Sequence, residues 1–256
     1  MKVTVTQMPD DPAGFEKEWE GLRRHVKRNG SDLVLLPEMP FYHWFCAGPK
    51  FDQGVWSDVV HRHGEWVERL SELEAPVVLA SRPVDRGARR LNEGFVWNEK
   101  AGTRGVHFKN YLPNEPGYYE ARWYQGGGKP FVPFEVSGWR AGFMICSDLW
   151  SMGDARSYGE RGVELIVAPR CTGLNVDKWL SGGKTAAVVA GAYCASSNRT
   201  GKRGAATFGG RGWVVGPDAE VLALTSGGRP FVTVEIDKAR ADRAKSTYPR
   251  DALNRV

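Results

Sequence analysis

The sequence predicts an α/β layered domain built on a mixed sheet or on two sheets. Three observations point there. Short apolar runs of strand length recur along the 256 residues, segments with apolar residues every three or four positions lie between them, and the chain closes on a hairpin pattern. Val3 to Met8 alternates as a strand does. Phe15, Trp19, Leu22 and Val26 then mark one face of a helix, and Gly30 is its stop. Ser31-Asp32 leads into L-V-L-L, apolar at every position and ended by Pro37, as in a strand buried on both faces. Glu38 therefore stands just past the C-terminal end of a strand.

The pattern then repeats. A helical segment from about Ser57 to Leu73 precedes the strand P-V-V-L-A-S and two extended runs, Gly94 to Trp97 and Gly105 to Phe108. A loop rich in Pro, Gly and Tyr runs from Leu112 to Pro130, and W-R-A-G-F-M-I-C is a strand entering Cys146. Next come a helix near Asp154 to Arg161, the strand V-E-L-I-V-A-P, a helix over Lys178 to Gly191 and an extended Y-C-A-S-S-N. G-W-V-V-G-P-D-A-E-V-L-A-L reads as a hairpin with a Pro-Asp turn, followed by a last strand P-F-V-T-V-E-I. No linker, low-complexity tract or internal repeat divides this series, so one domain over residues 1–256 is expected.

Composition narrows the function classes. With 41% apolar and 25% charged residues the chain reads as an ordinary soluble protein. It has no apolar run near the ~18 residues a membrane helix needs and no signal-type N-terminus, so a cytoplasmic location is expected. The net charge of +5 is a small excess of 35 basic over 30 acidic residues, and basic clusters such as R-G-A-R-R read as solvated faces, so nucleic acid is not an expected partner. Cys46, Cys146, Cys171 and Cys194 are too scattered for a disulfide framework or a structural zinc site. His61 and His63 form an H-x-H best read as a polar helix face rather than a metal site. L-S-G-G-K-T has Lys178 where a phosphate-binding loop requires glycine, and the glycines of G-G-R-G-W-V-V-G read as turns or bulges.

Three residues share a placement that invites chemistry. Glu38 follows L-V-L-L-P, Lys109 follows V-H-F, and Cys146 follows F-M-I. Strand ends in α/β proteins converge on a crevice. Each alone has a plain explanation: a loop carboxylate, a strand-end charge, a buried thiol. A base within reach of the thiol, with a cation beside it, is what a nucleophilic cysteine with an ordinary pKa near ~8.5 requires.

Taken together, L-P-E-M-P-F, F-K-N-Y-L-P-N-E-P-G-Y-Y-E and I-C-S-D-L-W resemble the three signature segments of the nitrilase superfamily, the carbon-nitrogen hydrolases, in order and in spacing. The likeness spans essentially the whole chain. It implies a four-layer α-β-β-α sandwich that associates as a homodimer or larger homo-oligomer, with no cofactor and no metal. It implies Cys146 as nucleophile, Glu38 as general base, Lys109 as the cation facing the developing oxyanion, and Glu120, in Y-E-A-R-W-Y, as the second glutamate. A Cys-His pair using His107 or His43 is the alternative constellation. The implied substrates are small molecules: amides or N-carbamoyl compounds first, nitriles second, with a non-catalytic binding module as the rival reading. Leu149 and Trp150 stand where relatives acting on N-carbamoyl-D-amino acids carry arginines. His43, Tyr111, Trp150 and Arg170 are the expected substrate-binding residues.

Overall fold

The run L-V-L-L supplies a strand of which every residue is buried, because alternate side chains face two different cores. In the computed structural model, which describes residues 1–128 and 130–253, Leu33 and Leu35 join one apolar cluster and Val34 and Leu36 another. Lys129 and residues 254–256, within the expected domain span, lie outside the described residues.

In the first half of the chain, β1 (Lys2–Pro9), α1 (Pro12–Asn29) and β2 (Leu33–Leu35) lead to α2 (Gln53–Glu68). Then follow β3 (Val77–Arg86), β4 (Arg89–Asn98), β5 (Gly102–Phe108) and the short helix α3 (Glu120–Trp123). The second half has β6 (Phe134–Val136), β7 (Trp139–Phe143), α4 (Met152–Glu160), β8 (Leu165–Pro169) and α5 (Val176–Ala190). It ends with β9 (Tyr193–Arg203), β10 (Ala206–Gly209), β11 (Trp213–Val215), β12 (Val221–Leu224), β13 (Phe231–Glu235), α6 (Lys238–Ala244) and α7 (Arg250–Leu253).

β1, β2 and β3 pair in parallel, and β4, β5 and β13 extend this half-sheet with antiparallel partners. β7, β8 and β9 form a second parallel set, edged by β6 on one side and by β11 and β12 on the other. The halves join where Gln7–Pro9 at the end of β1 pairs with Asn198–Thr200 of β9. Val5, Leu35 and Leu79 from one half and Phe143, Leu165 and Val167 from the other share a single cluster between the sheets. Phe15, Trp19 and Trp66 of α1 and α2 cover one outer face, and Ala155, Tyr158 and Ala187 of α4 and α5 cover the other. The result is the α-β-β-α sandwich. Each large side chain taken fully out of water in these layers contributes roughly 1.5–3 kcal/mol.

Local signals set the helix ends. Asp11 accepts from the Gly14 N–H at 2.7 Å and Pro12 starts α1, while Gly30, at φ 63°, closes it by donating to the Val26 carbonyl. α2 starts earlier than the expected Ser57 because Asp52 caps it at the Val55 N–H, and its last expected turn, Leu70–Leu73, is a 3-10 turn. The C-terminal charge run K-A-R-A-D-R-A forms α6, with Ala241 and Ala244 buried and none of its charged residues buried. One reading is corrected. His63 is not on a polar face: residues two apart on a helix point apart, so His61 is exposed while His63 is buried. His63 Nδ1 meets the Val59 carbonyl at 2.8 Å, and burial pushes its pKa down to about 3.

Candidate active site

Glu38 leaves β2 through Leu36 and Pro37, and its own N–H donates to the Arg170 carbonyl just past β8 at 3.2 Å. That bond ties the ends of two strands from opposite halves of the sandwich. Met39 takes φ 42° and donates its N–H to Ser81 Oγ at 3.1 Å. Lys109 follows β5 and is held at both ends of its backbone, N–H to the Asn92 carbonyl at 2.9 Å and carbonyl to the Gly127 N–H at 2.8 Å. Strand β7 ends before the cysteine. Met144 continues the ladder by donating to the Val167 carbonyl at 3.0 Å, and Cys146 then opens a 3-10 turn at φ 50°. A left-handed non-glycine residue costs about 1–3 kcal/mol, so two of them, at Met39 and Cys146, mark a site held against local strain.

The Lys109 ammonium donates to Glu38 Oε1 at 2.8 Å and to Glu120 Oε2 at 2.5 Å, with all three side chains fully buried. Asn92 Nδ2 also donates to Glu38 Oε1 at 2.8 Å, and the Tyr124 hydroxyl donates to Glu120 Oε2. Glu38 Oε2 and Glu120 Oε1 have no hydrogen-bond partner among the described residues. Donor atoms of Glu38, Glu120 and Cys146 lie within 4.8 Å of one another, a set that would suit a cation. The cation bonded to both carboxylates here is the Lys109 ammonium.

This crowding sets the protonation states. Burial raises Glu120 from the ordinary 4.5 to about 7, against the pull of Lys109. Burial also works to lower Lys109, but the two carboxylates bonded to it, Glu120 and Glu38, help to outweigh it and hold the ammonium charged well above its usual range. The Cys146 thiol is pushed well up by burial and then by Glu38, with Lys109 opposing. Its Sγ lies 3.9 Å from the Cys171 carbonyl.

Asp148, two residues after the cysteine, ties the lysine segment to the cysteine turn. Its Oδ1 accepts from the Asn110 and Tyr111 N–H groups, both at 3.0 Å, and its Oδ2 lies 3.0 Å from His107 Nε2. His107 is thus paired with Asp148 beside the cysteine turn.

A cavity of about 530 Å³ opens above Cys146, with Glu120, Tyr118, Cys171 and Trp150 in its wall. Of the expected substrate-binding residues only Trp150 lies in that wall, 40% exposed. Tyr111 lies beside it, with its ring over Phe131 at 6.4 Å. His43 lines a separate cavity of about 100 Å³ with Asp10, Phe15 and Trp66. Arg170 is turned inward: its guanidinium donates to Ser196 Oγ, Thr172 Oγ1 and the Arg211 carbonyl at 2.5, 2.8 and 2.7 Å. All three nitrogens are engaged within the protein, and Arg170 is not among the residues that line the Cys146 cavity. Burial lowers its pKa to about 10.

Sequence reading missed Asn92, Tyr124 and Arg199. Arg199 of β9 donates to the carbonyls of Glu38 at 3.2 Å, Met39 and Tyr42 at 2.9 Å, and to Asp10 Oδ1 at 2.6 Å. The available signal was a polar residue within an otherwise buried strand, at Asn92 in L-N-E-G-F-V-W and at Arg199 in S-S-N-R-T.

Fold and cluster together define a sandwich protein of the nitrilase superfamily, with glutamate, lysine and cysteine gathered at strand ends. The chain belongs to the carbon-nitrogen hydrolase family, whose model matches residues 2–246. It is similar to N-carbamoylputrescine amidase from Solanum lycopersicum, 23% identical over 254 residues that cover 88% of this chain and 82% of the relative. It is also similar to a citrullinase from Francisella tularensis, 26% identical over 180 residues, 68% of this chain and 62% of that one. A carbon-nitrogen hydrolase from Helicobacter pylori G27 has the same fold, with a TM-score of 0.87 at 24% identity over 98% of this chain and 94% of its own. No helix among the described residues is long and apolar enough to cross a membrane.

Proposed function

We propose that the protein hydrolyses the C–N bond of a small amide or N-carbamoyl compound through a covalent adduct on Cys146. The observation that carries this reading is the Lys109 ammonium bonded at once to Glu38 and Glu120 beside a thiol held at a left-handed backbone position. The similarity to an N-carbamoylputrescine amidase and a citrullinase supports it.

The resting thiol is protonated, so its proton passes to Glu38 as sulfur attacks the carbonyl carbon. Glu38 Oε2, which accepts no hydrogen bond from a described residue, is the oxygen that receives it. An ammonium has three N–H donors, and Glu38 and Glu120 take two. The third is left for the oxyanion of the tetrahedral intermediate, and losing such a donor commonly costs about 3 kcal/mol. The intermediate collapses by breaking C–N, and the departing amine or ammonia takes the proton from Glu38. Water then attacks the thioester or S-carbamoyl carbon, giving one proton to Glu38. The C–S bond breaks, and that proton restores the thiol.

The test is to incubate purified protein with amides, N-carbamoyl amines and nitriles while recording released ammonia. Amides or carbamoyl compounds should turn over, Cys146→Ala should be inactive, and mass spectrometry of quenched reactions should find the acyl group on the Cys146 peptide. Acylation at Cys171 or Cys194, or no turnover with Cys146 refractory to iodoacetamide, sinks the reading.

A further inference from the structure

We propose that the outer part of the Cys146 cavity recognises a zwitterionic tail, making the substrates ω-ureido or ω-amide amino acids; this rests on the hydrolase reading above. Glu115 and Lys178 line the same cavity as Cys146. They bring opposite charges to its rim from separate elements. Glu115 sits in the loop before α3, where its backbone and that of Tyr118 exchange hydrogen bonds at 3.3 and 2.8 Å. Lys178 sits in the first turn of α5, with its N–H capped by Asn175 Oδ1 at 3.1 Å. Neither side chain forms an ion pair or hydrogen bond with any other described residue; the Lys178 ammonium rests 5.8 Å from the centre of the Trp150 ring. The two charges are thus rooted apart and left unneutralised within one cavity.

Trp150 and Trp179, with ring centres 5.1 Å apart, line the same cavity and offer an apolar wall for a methylene chain. A neutral aliphatic amide would satisfy neither rim charge, and a tail with one charge would leave the other unpaired. A carbon bearing both ammonium and carboxylate matches Glu115 and Lys178 together. The reacting amide or ureido group at the far end of the chain then reaches Cys146.

Four ureas with the same reacting end separate the possibilities. Citrulline carries both charges, N-carbamoylputrescine only the ammonium, ω-ureidopentanoate only the carboxylate, and butylurea neither. The expected result is a kcat/KM for citrulline at least about tenfold above that for butylurea, as charge-assisted contacts imply, with the singly charged compounds between. Glu115→Gln and Lys178→Met should each cut the citrulline-to-butylurea ratio about fivefold or more. Glu115→Gln should move preference towards ω-ureidopentanoate, and Lys178→Met towards N-carbamoylputrescine. If the ureido group is not cleaved, glutamine against butyramide carries the same comparison. Equal rates across the series, a singly charged or neutral compound turned over best, or a ratio that neither variant moves, overturns the zwitterion proposal and leaves the hydrolase reading standing. No turnover in either series, with no adduct on Cys146, overturns both.

Discussion

Lys109 Nζ lies 2.5 Å from Glu120 Oε2 and also bonds Glu38, so one buried ammonium is shared by two carboxylates. Removing one partner of a buried ion cluster strands the others, which typically costs about 3–5 kcal/mol. Lys109→Met should therefore lower the melting temperature sharply and abolish Cys146 acylation. Adding Glu120→Gln to that variant removes one of the stranded charges and should recover much of the melting temperature without recovering acylation. Calorimetry and single-turnover mass spectrometry of the same two proteins read both effects. A double variant that regains acylation would show that Lys109 is structural only.

Glu120 also gives the stability a direction in pH. Its carboxyl is raised to about 7 in the folded chain against 4.5 ordinarily, so between those values the folded state binds more protons than the unfolded state. This contribution is full below about 4.5 and is lost as pH rises through about 7. The reaction moves oppositely: the Lys109 ammonium is placed between two carboxylates, and the rate should rise through pH 7 as Glu120 ionises and takes its share of that ammonium. Glu120→Gln should flatten this part of the stability curve, lower the rate and erase the limb near 7. Melting curves and kcat/KM profiles between pH 4.5 and 8 check both, and an unchanged limb assigns it to another group.

Strands apolar at every position, such as L-V-L-L and L-I-V-A-P, were legible because burial on both faces leaves no polar position in the pattern. Glu38, Lys109 and Cys146 stood out because each directly follows an extended run, L-V-L-L-P, V-H-F and F-M-I. Side-chain direction beyond a strand end was not: Arg170 and His43 sit next to the site in sequence, but their backbones turn them towards Ser196 and towards Phe15. The supporting residues Asn92, Tyr124 and Arg199 act across large sequence separations, which no local pattern encodes. L-S-G-G-K-T shows the converse. Its glycines lie inside α5 because a Cβ on Gly183 would come 2.1 Å from the Trp213 ring, and one on Gly182 would come 2.9 Å from Trp150. They allow close helix packing and make no phosphate loop.

Arg199 provides the last prediction. Its guanidinium spans the carbonyls of Glu38, Met39 and Tyr42 while pairing with Asp10, and this is what holds the Glu38 turn with Met39 at φ 42°. A lysine keeps the charge but is a single centre that cannot bridge three carbonyls and a carboxylate. Arg199→Lys should therefore fold, with Asp10 still paired, yet let Glu38 drift from the thiol. A misplacement of about 1 Å at a reacting group can lower a rate about a hundredfold. Because Arg199 does not line the cavity, kcat should fall with little change in KM. Steady-state kinetics, with single-turnover acylation to isolate the chemical step, make the measurement. A rise in KM at constant kcat would mean that the Arg199 clamp shapes substrate binding and does not hold the base.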